Sequence, residues 1–221
     1  MEKLNSYIKV ALADDHVLLR NALASLIDNF GDCRVVNQSN DGKELIESLK
    51  NGAIPDVIIL DLNMPEMDGY ESAKFIQKNF PQVHVLMLTM YDSELSLIRL
   101  LQAGVKGFLK KDIHPSELKF AIHSVVNTGY YYSNSTTNKL ANLFRSGNEK
   151  RSSLQNTMLT EQELEFLKLT SSDLTYKEIA QKMNLNPRSV DNLRDQLFIK
   201  LDVKSRVGLA MVAIKNGIVI F

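Results

Sequence analysis

One short stretch, residues 57–65, constrains the fold of this chain more than any other. It reads VIILDLNMP, so four apolar residues lead into Asp61 and then into a turn marked by Pro65. A short, continuous apolar run of this kind predicts a strand buried on both faces, as in a parallel sheet. Asp61 would then lie at the carboxyl end of its strand, and this is the edge at which open α/β sheets bind ligands.

A second apolar run ends in the same way. Residues 8–13 read IKVALA and are followed by Asp14 and Asp15. If the two strands are neighbours, three carboxylates converge, and like charges that close need a cation or a proton to coexist. A small site with only oxygen ligands suits Mg²⁺. The sequence therefore predicts a magnesium site formed by Asp14, Asp15 and Asp61.

The first half of the chain alternates between strand-like and helix-like patterns. The predicted strands cover about 8–13, 33–38, 56–60, 83–88 and 105–110, and the predicted helices about 17–29, 41–50, 68–79, 92–102 and 115–127. Five strands that alternate with five helices predict an α/β fold with a doubly wound, five-stranded parallel sheet.

The alternation stops near residue 128. Residues 129–156 are rich in turn-forming and polar residues and predict a linker, with a possible short helix at 138–145. Beyond residue 158 the pattern is helical throughout. Thr160 with Glu163, and Thr175 with Glu178, are capping boxes that mark two helix starts. We predict domains at 1–128 and 157–221, and the second is either a helix-turn-helix unit or a generic small helical bundle.

Charge supports a division into two parts. Residues 1–132 contain 17 acidic and 13 basic side chains, whereas residues 133–221 contain 9 acidic and 13 basic ones. The opposite net charges suggest different partners, one of them polyanionic. The single cysteine, Cys33, excludes an internal disulfide framework. No run approaches the roughly 18 apolar residues of a membrane helix, so we expect a cytoplasmic protein with no membrane partner.

Three further side chains follow predicted strands near the acids. Thr89 ends the fourth strand and offers a hydroxyl group, and Lys111 ends the fifth and offers an ammonium group. Phe108 lies three residues before Lys111. An acid, a hydroxyl, a cation and a metal together match phosphoryl transfer, in which negative charge on phosphoryl oxygens must be neutralised. Asp61 would be the nucleophile that forms an aspartyl phosphate.

These residues resemble the receiver domain of a bacterial two-component response regulator. The resemblance implies that Asp61 accepts a phosphoryl group from a sensor histidine kinase. It also implies that Asp15, Asp61 and the main-chain carbonyl of Asn63 bind Mg²⁺, with Asp14 acting mainly through water. Lys111 would pair with Asp61, and Thr89 and Phe108 would move upon phosphorylation.

The last 65 residues resemble a LuxR-type helix-turn-helix domain, as found in NarL/FixJ-like response regulators. The motifs are LTEQE at 159–163, KEIA at 177–180, SVDN at 189–192 and KLDVKSR at 200–206. The resemblance implies contacts to double-stranded DNA from Arg188, Ser189, Asp191, Asn192, Arg194, Asp195, Lys200, Lys204 and Arg206. Four positions depart from the family pattern. Asp191 and Asp195 stand where related proteins often have cations, Leu193 replaces a histidine, and Asp202 replaces a glycine.

The two resemblances together predict a phosphorylation-controlled transcription regulator that is not an enzyme in the usual sense and that forms a homodimer upon phosphorylation. Two alternatives stay open from the residues. The acids at 191 and 195 are compatible with a receiver-controlled module that binds proteins and has weak DNA affinity. A magnesium-dependent aspartyl-phosphate phosphatase also uses an acid at a strand end, but its second acid would be needed at the position of Asn63.

Overall fold

A computed structural model describes residues 7–90, 93–146 and 158–219. The chain divides into two compact units. The first contains residues 1–90 and 100–138, and the second contains residues 91–99 and 139–221. Each unit has its own hydrophobic core.

The first unit is built on a five-stranded, all-parallel sheet with the strand order β2-β1-β3-β4-β5. The strands are β1 (Ile8–Ala13), β2 (Cys33–Ser39), β3 (Val57–Asp61), β4 (His84–Thr89) and β5 (Gly107–Lys110). This order places β1 and β3 side by side. Successive strands are added toward one side of the sheet from β1 to β2 and toward the other side from β3 onward, so the topological switch point lies between β1 and β3. The prediction of a doubly wound parallel sheet is confirmed.

Helices follow each strand of this sheet. They are α1 (Val17–Asp28), α2 (Gly42–Lys50), α3 (Gly69–Asn79), α4 (Glu94–Gln102) and α5 (Pro115–Thr128). All five residues of β3 are buried, as the continuous apolar pattern predicts for a strand between two layers of helices. Asp41 caps α2 by accepting a hydrogen bond from the backbone N–H of Glu44.

Gly69 allows α3 to begin very close to the end of β3. A Cβ atom at this position would lie 2.1 Å from the backbone oxygen of Asp61 and 2.9 Å from the Cα atom of Leu62. The backbone N–H of Gly69 also donates to the Leu62 carbonyl at 2.9 Å. Because no side chain fits in this gap, glycine here helps to fix the backbone that carries Asp61.

The chain that follows α5 packs onto the sheet edge. Gly129 ends α5 in the left-handed conformation at φ 86°, and Tyr131 then forms a parallel bridge with Gly107 of β5. Tyr131 is 6% exposed, and its hydroxyl donates to Glu117 at 2.6 Å. Residues 130–132, which the sequence assigns to the linker, therefore pack on the first unit. The next helix, α6 (Asn134–Ser146), is longer than the predicted 138–145.

Four helices follow in the second unit. They are α7 (Glu161–Thr170), α8 (Tyr176–Lys182), α9 (Pro187–Lys200) and α10 (Arg206–Lys215). Both predicted capping boxes are present, at Thr160–Glu163 and at Thr175–Glu178. Phe166 and Leu197 are fully buried in the core of this unit, which also includes Leu95 from the beginning of α4.

Among the described residues, no helix combines the length and the apolar composition required to cross a lipid bilayer.

Candidate phosphoryl-acceptor site and nucleic-acid interface

The three predicted acids lie together at the carboxyl edge of the sheet. The sheet order makes β1 and β3 direct neighbours, and their ends carry Asp14 and Asp61. Asp14 is 3% exposed and Asp61 is 1% exposed. Carboxylate oxygens of Asp14, Asp15 and Asp61 and a ring nitrogen of His16 all lie within 4.8 Å of one another. The sequence prediction that these acids converge agrees with this geometry.

Lys111 provides the cation beside the buried acids. Its Nζ atom lies 2.9 Å from Oδ2 of Asp61 and 3.4 Å from Oδ2 of Asp14. Burial raises the pKa of Asp61 to about 6, helped by the charge of Asp14 and opposed by Lys111 and by the backbone N–H of Asn63. Burial alone would lower the pKa of Lys111, but its hydrogen bond and charge interaction with Asp61, together with Asp14, raise it. Lys111 therefore remains charged and partly offsets the negative charge of the cluster.

Two residues that the sequence reasoning did not assign to the site also contact the acids. The Nδ1 atom of His16 lies 2.9 Å from Asp14 Oδ1 and 2.8 Å from Asp15 Oδ1. Arg20 is 8% exposed and donates through Nη1 to the backbone oxygen of Asp14. Arg20 lies one helical turn beyond His16, and this spacing is the only sequence signal that could have pointed to it.

The predicted switch residues occupy the neighbouring strands. Thr89 ends β4 and is buried, at 5% exposed. Phe108 lies in β5 and is also buried, and its ring stacks on Tyr132 with the ring centroids 5.8 Å apart. The Tyr132 ring stacks in turn on Tyr130, at 5.9 Å between centroids. The first aromatic contact joins the sheet edge to the segment that leads into α6.

The acid cluster has the chemistry expected of a magnesium site. Mg²⁺ binds oxygen ligands and usually takes one or two carboxylates while it keeps several waters. Asp14, Asp15 and Asp61 offer carboxylate oxygens within one small site, and Asp15 keeps 38% of its side chain exposed to solvent. The residues present therefore fit this ion.

Helix α9 divides into a buried face and an exposed face. Val190, Leu193 and Leu197 are buried, and Leu201 just beyond the helix is half-buried. The exposed positions include Arg188, Asp191, Asn192 and Asp195. A helix that follows a short turn after another helix, with a polar outer face, has the arrangement of a recognition helix.

An ion-pair cluster occupies the middle of this outer face. Arg194 donates to Asp191 Oδ1 at 2.8 Å and to Asp195 Oδ1 at 2.8 and 2.9 Å. Its guanidinium group also lies over the ring of Tyr176, 5.2 Å from the centroid. The carboxylate of Asp195, acting with that of Asp191, raises the pKa of Arg194 further. The positive charge of Arg194 is therefore shared with two acids on the same surface.

Two other cations predicted to meet DNA have partners inside the domain. Lys200 donates to both carboxylate oxygens of Glu163, at 2.8 and 2.7 Å, and to the backbone oxygen of Met158 at 2.6 Å. Arg206 donates to the backbone oxygens of Thr170 and Ser172 at 3.0 and 2.7 Å. Lys204 is exposed and Ser189 is half-buried. Lys200 thus links the end of α9 to the start of α7, and Arg206 links the start of α10 to the end of α7.

Comparison with known families agrees with this division of the chain. A family model of the response regulator receiver domain matches residues 10–123. A second model, of bacterial regulatory proteins of the luxR family, matches residues 157–213. Together the matches cover both units and leave out the segment between them.

The chain is a two-component response regulator. It belongs to the class in which a receiver domain precedes a LuxR-type helix-turn-helix domain, and this class consists of phosphorylation-controlled transcription regulators. The oxygen regulatory protein NreC of Staphylococcus haemolyticus is 31% identical over 220 residues, which cover 97% of this chain and 100% of NreC. The response regulator UvrY of Escherichia coli strain K12 is 29% identical over 211 residues, which cover 96% of this chain and 95% of UvrY.

Solved structures of response regulators have the same fold. The response regulator ChrA of a heme-sensing two-component system matches with a TM-score of 0.52 and 27% identity, covering 97% of this chain and 100% of ChrA. RcsB of Salmonella enterica serovar Typhimurium, bound to promoter DNA in the presence of the phosphomimetic BeF₃⁻, matches with a TM-score of 0.67 and 24% identity, covering 93% of this chain and 97% of RcsB. The predicted fold and class are confirmed.

Proposed function

We propose that this response regulator is switched by phosphorylation of Asp61 by a sensor histidine kinase. The observation that supports the proposal most directly is the position of Asp61. It is a buried carboxylate at the end of β3, with Lys111 at 2.9 Å and two further acids beside it. A buried acid that is held next to a fixed cation has both a nucleophilic oxygen and a group that can neutralise an incoming phosphoryl group.

The residues divide the reaction between them. A carboxylate oxygen of Asp61 attacks phosphorus as the bond from phosphorus to the kinase histidine breaks. Lys111, which pairs with Asp61 before the reaction, remains within reach of a phosphoryl oxygen afterwards. The carboxylates of Asp15 and Asp61 and the main-chain carbonyl of Asn63 would hold Mg²⁺, with Asp14 acting through water. The bound ion neutralises charge on the phosphoryl oxygens.

Signal output begins at Thr89 and Phe108. The hydroxyl of Thr89 would turn to donate to a phosphoryl oxygen, and Phe108 would follow into the space that Thr89 vacates. Phe108 stacks on Tyr132 at 5.8 Å, so its movement changes the packing of the segment before α6. This is a two-state element biased by a local change of charge. The phosphorylated protein forms a homodimer that places two recognition helices on paired half-sites in DNA.

Contacts within the domain support a DNA surface with fewer contact residues than the sequence alone predicts. Arg188, Asn192 and Lys204 are exposed, and they are the residues best placed to meet phosphates and base edges. Asn192 has the side chain that pairs with adenine in the major groove, and Asp191 and Asp195 can accept from the amino group of cytosine. Lys200 and Arg206 would act mainly in folding, because Lys200 pairs with Glu163 and Arg206 donates to two backbone oxygens within the domain.

Incubation with acetyl phosphate and Mg²⁺ tests the proposal. We expect the intact mass to increase by one phosphoryl group, the protein to become dimeric and its affinity for promoter DNA to rise. Asp61→Asn should abolish all three effects. Asp68→Asn is a matched control because Asp68 is a half-buried acid nearby that caps α3. Phosphorylation that persists in Asp61→Asn would overturn the assignment.

The same experiment separates the main alternative from this proposal. The exposed acids Asp191 and Asp195 are the observation that favours a protein-binding module. Phosphorylation and dimerisation without any retardation of promoter fragments would support that alternative.

A further inference from the structure

A second cluster of metal-ligating side chains lies at the opposite edge of the sheet from Asp61. Cys33 begins β2 and pairs with Ile8 at the amino end of β1. Asp32 precedes Cys33, and His123 reaches both from α5. A carboxylate oxygen, a thiol sulfur and an imidazole nitrogen lie within 4.8 Å of one another. The mixture of oxygen, sulfur and nitrogen differs from the oxygen-rich cluster around Asp61 and suits a different ion.

The spacing of two of these atoms matches a tetrahedral site. Nε2 of His123 lies 3.2 Å from Oδ2 of Asp32. Two ligands bound to zinc at tetrahedral angles, with bonds of about 2.0–2.1 Å, are separated by about 3.3 Å. Within the described part of the chain, His123 Nε2 is buried and makes no hydrogen bond of acceptable geometry. The only contact of this nitrogen in the described residues is thus the 3.2 Å approach to Asp32, a distance that suits two ligands of one ion as well as a direct ion pair.

The carboxylate of Asp32 is already oriented by another residue. Lys119 lies on α5 one turn before His123, and its Nζ atom is 3.0 Å from Oδ1 of Asp32. Lys119 is itself held by the backbone oxygen of Phe30 at 3.1 Å and lies over the Phe30 ring. Because Lys119 takes Oδ1, the other carboxylate oxygen faces His123. Ligating carboxylates commonly have such a hydrogen-bonded partner behind them.

An ion can reach the buried thiol from the surface. Cys33 is 4% exposed, but it forms part of the wall of an open surface cavity. The other residues of that wall are Tyr7, Asp28, Gly31 and Arg34. The cavity does not include the other two proposed ligands, but His123 keeps 32% and Asp32 keeps 48% of its side chain exposed. Water can therefore reach a fourth coordination position from their side.

We propose that Asp32, Cys33 and His123 bind a zinc ion with water as the fourth ligand. Cys33 is the first residue of β2, the strand at one edge of the sheet, and His123 lies on α5. The ion would therefore link this edge strand to α5. This role is separate from phosphoryl chemistry, because the acid cluster of Asp14 and Asp61 lies at the other end of the strands. Zinc binding is expected to stabilise the receiver without changing phosphorylation of Asp61.

Cobalt substitution tests the site in the full-length protein. Metal is first removed with a chelator, and Co²⁺ is then added in the presence of millimolar Mg²⁺, which occupies the acid cluster. We expect a near-ultraviolet thiolate-to-cobalt charge-transfer band that saturates at one equivalent and disappears when Zn²⁺ is added. Because the chain has one cysteine, such a band in the monomer can come only from Cys33. The site around Asp61 and His16 has no thiol and cannot produce it.

Variants make the test specific. Cys33→Ser should abolish the band, and His123→Gln should weaken Co²⁺ binding at least tenfold. His114→Gln removes an exposed histidine from the start of the same helix and should leave both the band and the affinity unchanged. Zinc should raise the unfolding temperature of the wild-type protein and of His114→Gln, but not of His123→Gln. Absence of the band, or an unchanged affinity in His123→Gln, would overturn the proposal.

Discussion

At the scale of single residues, the charge state of Asp61 links stability to pH. Burial raises the pKa of Asp61 to about 6, whereas an aspartate in an unfolded chain has a pKa of about 4. Below about pH 4 the group is protonated in both states. As the pH rises from about 4 to 6, the unfolded chain loses its proton first, so the free energy of unfolding falls. The folded protein therefore carries a destabilising buried charge at neutral pH, and in the proposed reaction this ionised form of Asp61 is the nucleophile.

Asp61→Asn should remove this loss of stability. Without Mg²⁺, we expect the variant to be more stable than the wild type at pH 7.5, by at most about 3 kcal/mol, and the difference should shrink toward zero near pH 4. Urea unfolding at a series of pH values measures it. Asp112→Asn removes an exposed acid and serves as the control for loss of charge. If the free energies of unfolding of the wild type and of Asp61→Asn changed in parallel with pH across this range, the prediction would be contradicted.

The backbone conformation of Asp202 determines which substitutions this position accepts without loss of stability. It follows α9 with φ 52°, in the left-handed region. Glycine adopts this region without steric cost, and aspartate adopts it more readily than most other residues do. We expect Asp202→Gly to leave stability within about 1 kcal/mol of the wild type, and Asp202→Val to lose roughly 1–2 kcal/mol. Thermal unfolding of the two variants checks this. Equal stability of the valine and glycine variants would show that the turn relaxes.

At the scale of secondary-structure elements, α9 carries an unusual balance of charge. Arg194 is neutralised locally by Asp191 and Asp195, and Lys200 is neutralised by Glu163. Few cations on this helix therefore remain to displace counterions from DNA. We expect modest non-specific affinity and a shallow dependence of the binding constant on salt.

Replacing the acids should restore a stronger electrostatic contribution. In Asp191→Asn combined with Asp195→Asn, Arg194 is released toward phosphates, so non-specific affinity and the steepness of the salt dependence should both increase. DNA titrations at several salt concentrations measure the slope. The control, Glu165→Gln, removes an exposed acid from α7 instead. A slope of roughly eight or more in the wild type would mean that the acids have no influence.

The aromatic contact between β5 and the segment before α6 gives a second prediction at this scale. Phe108 packs beneath Tyr132, so Tyr132→Ala should weaken the link between phosphorylation and output. We expect acetyl phosphate to label this variant at close to the wild-type rate, while dimerisation and the gain in DNA affinity decrease. Mass spectrometry and sedimentation separate the two effects.

Tyr130→Ala removes a neighbouring, largely exposed ring that stacks on Tyr132 and should have a smaller effect. If Tyr132→Ala dimerised upon phosphorylation as fully as the wild type, the aromatic contact would not transmit the signal.

At the scale of the whole molecule, the buried cluster around Ile27 and the buried cluster around Phe166 share no residue among those described. A ligand that binds only the receiver should stabilise only the unit that contains its site. We expect calorimetry to resolve two transitions, and Mg²⁺ at 100 times its dissociation constant to stabilise the receiver by about 2.7 kcal/mol. Chelation should reverse the shift, and Asp15→Ala should reduce it. A single calorimetric transition whose midpoint rises with Mg²⁺ would show that both units unfold together and would contradict the prediction.

Local sequence signals predicted much of this molecule. The apolar runs at 8–13 and 57–60 became adjacent buried strands, and the acids that follow them met at one edge. Capping residues at Thr160 and Thr175 gave the helix starts directly. These features depend on side-chain periodicity and on hydrogen bonds between residues three apart, so they are visible in the linear sequence.

Contacts between distant segments were not visible in the same way. The pairing of Lys200 with Glu163 joins residues 37 positions apart, and Tyr132 reaches Phe108 only because its segment returns to the sheet edge. The sequence by itself determined which elements form and at which strand end Asp61, the proposed acceptor, lies. Tertiary structure decided which cations remain available to DNA and which side chains surround His123, because packing brings together groups that no local pattern relates.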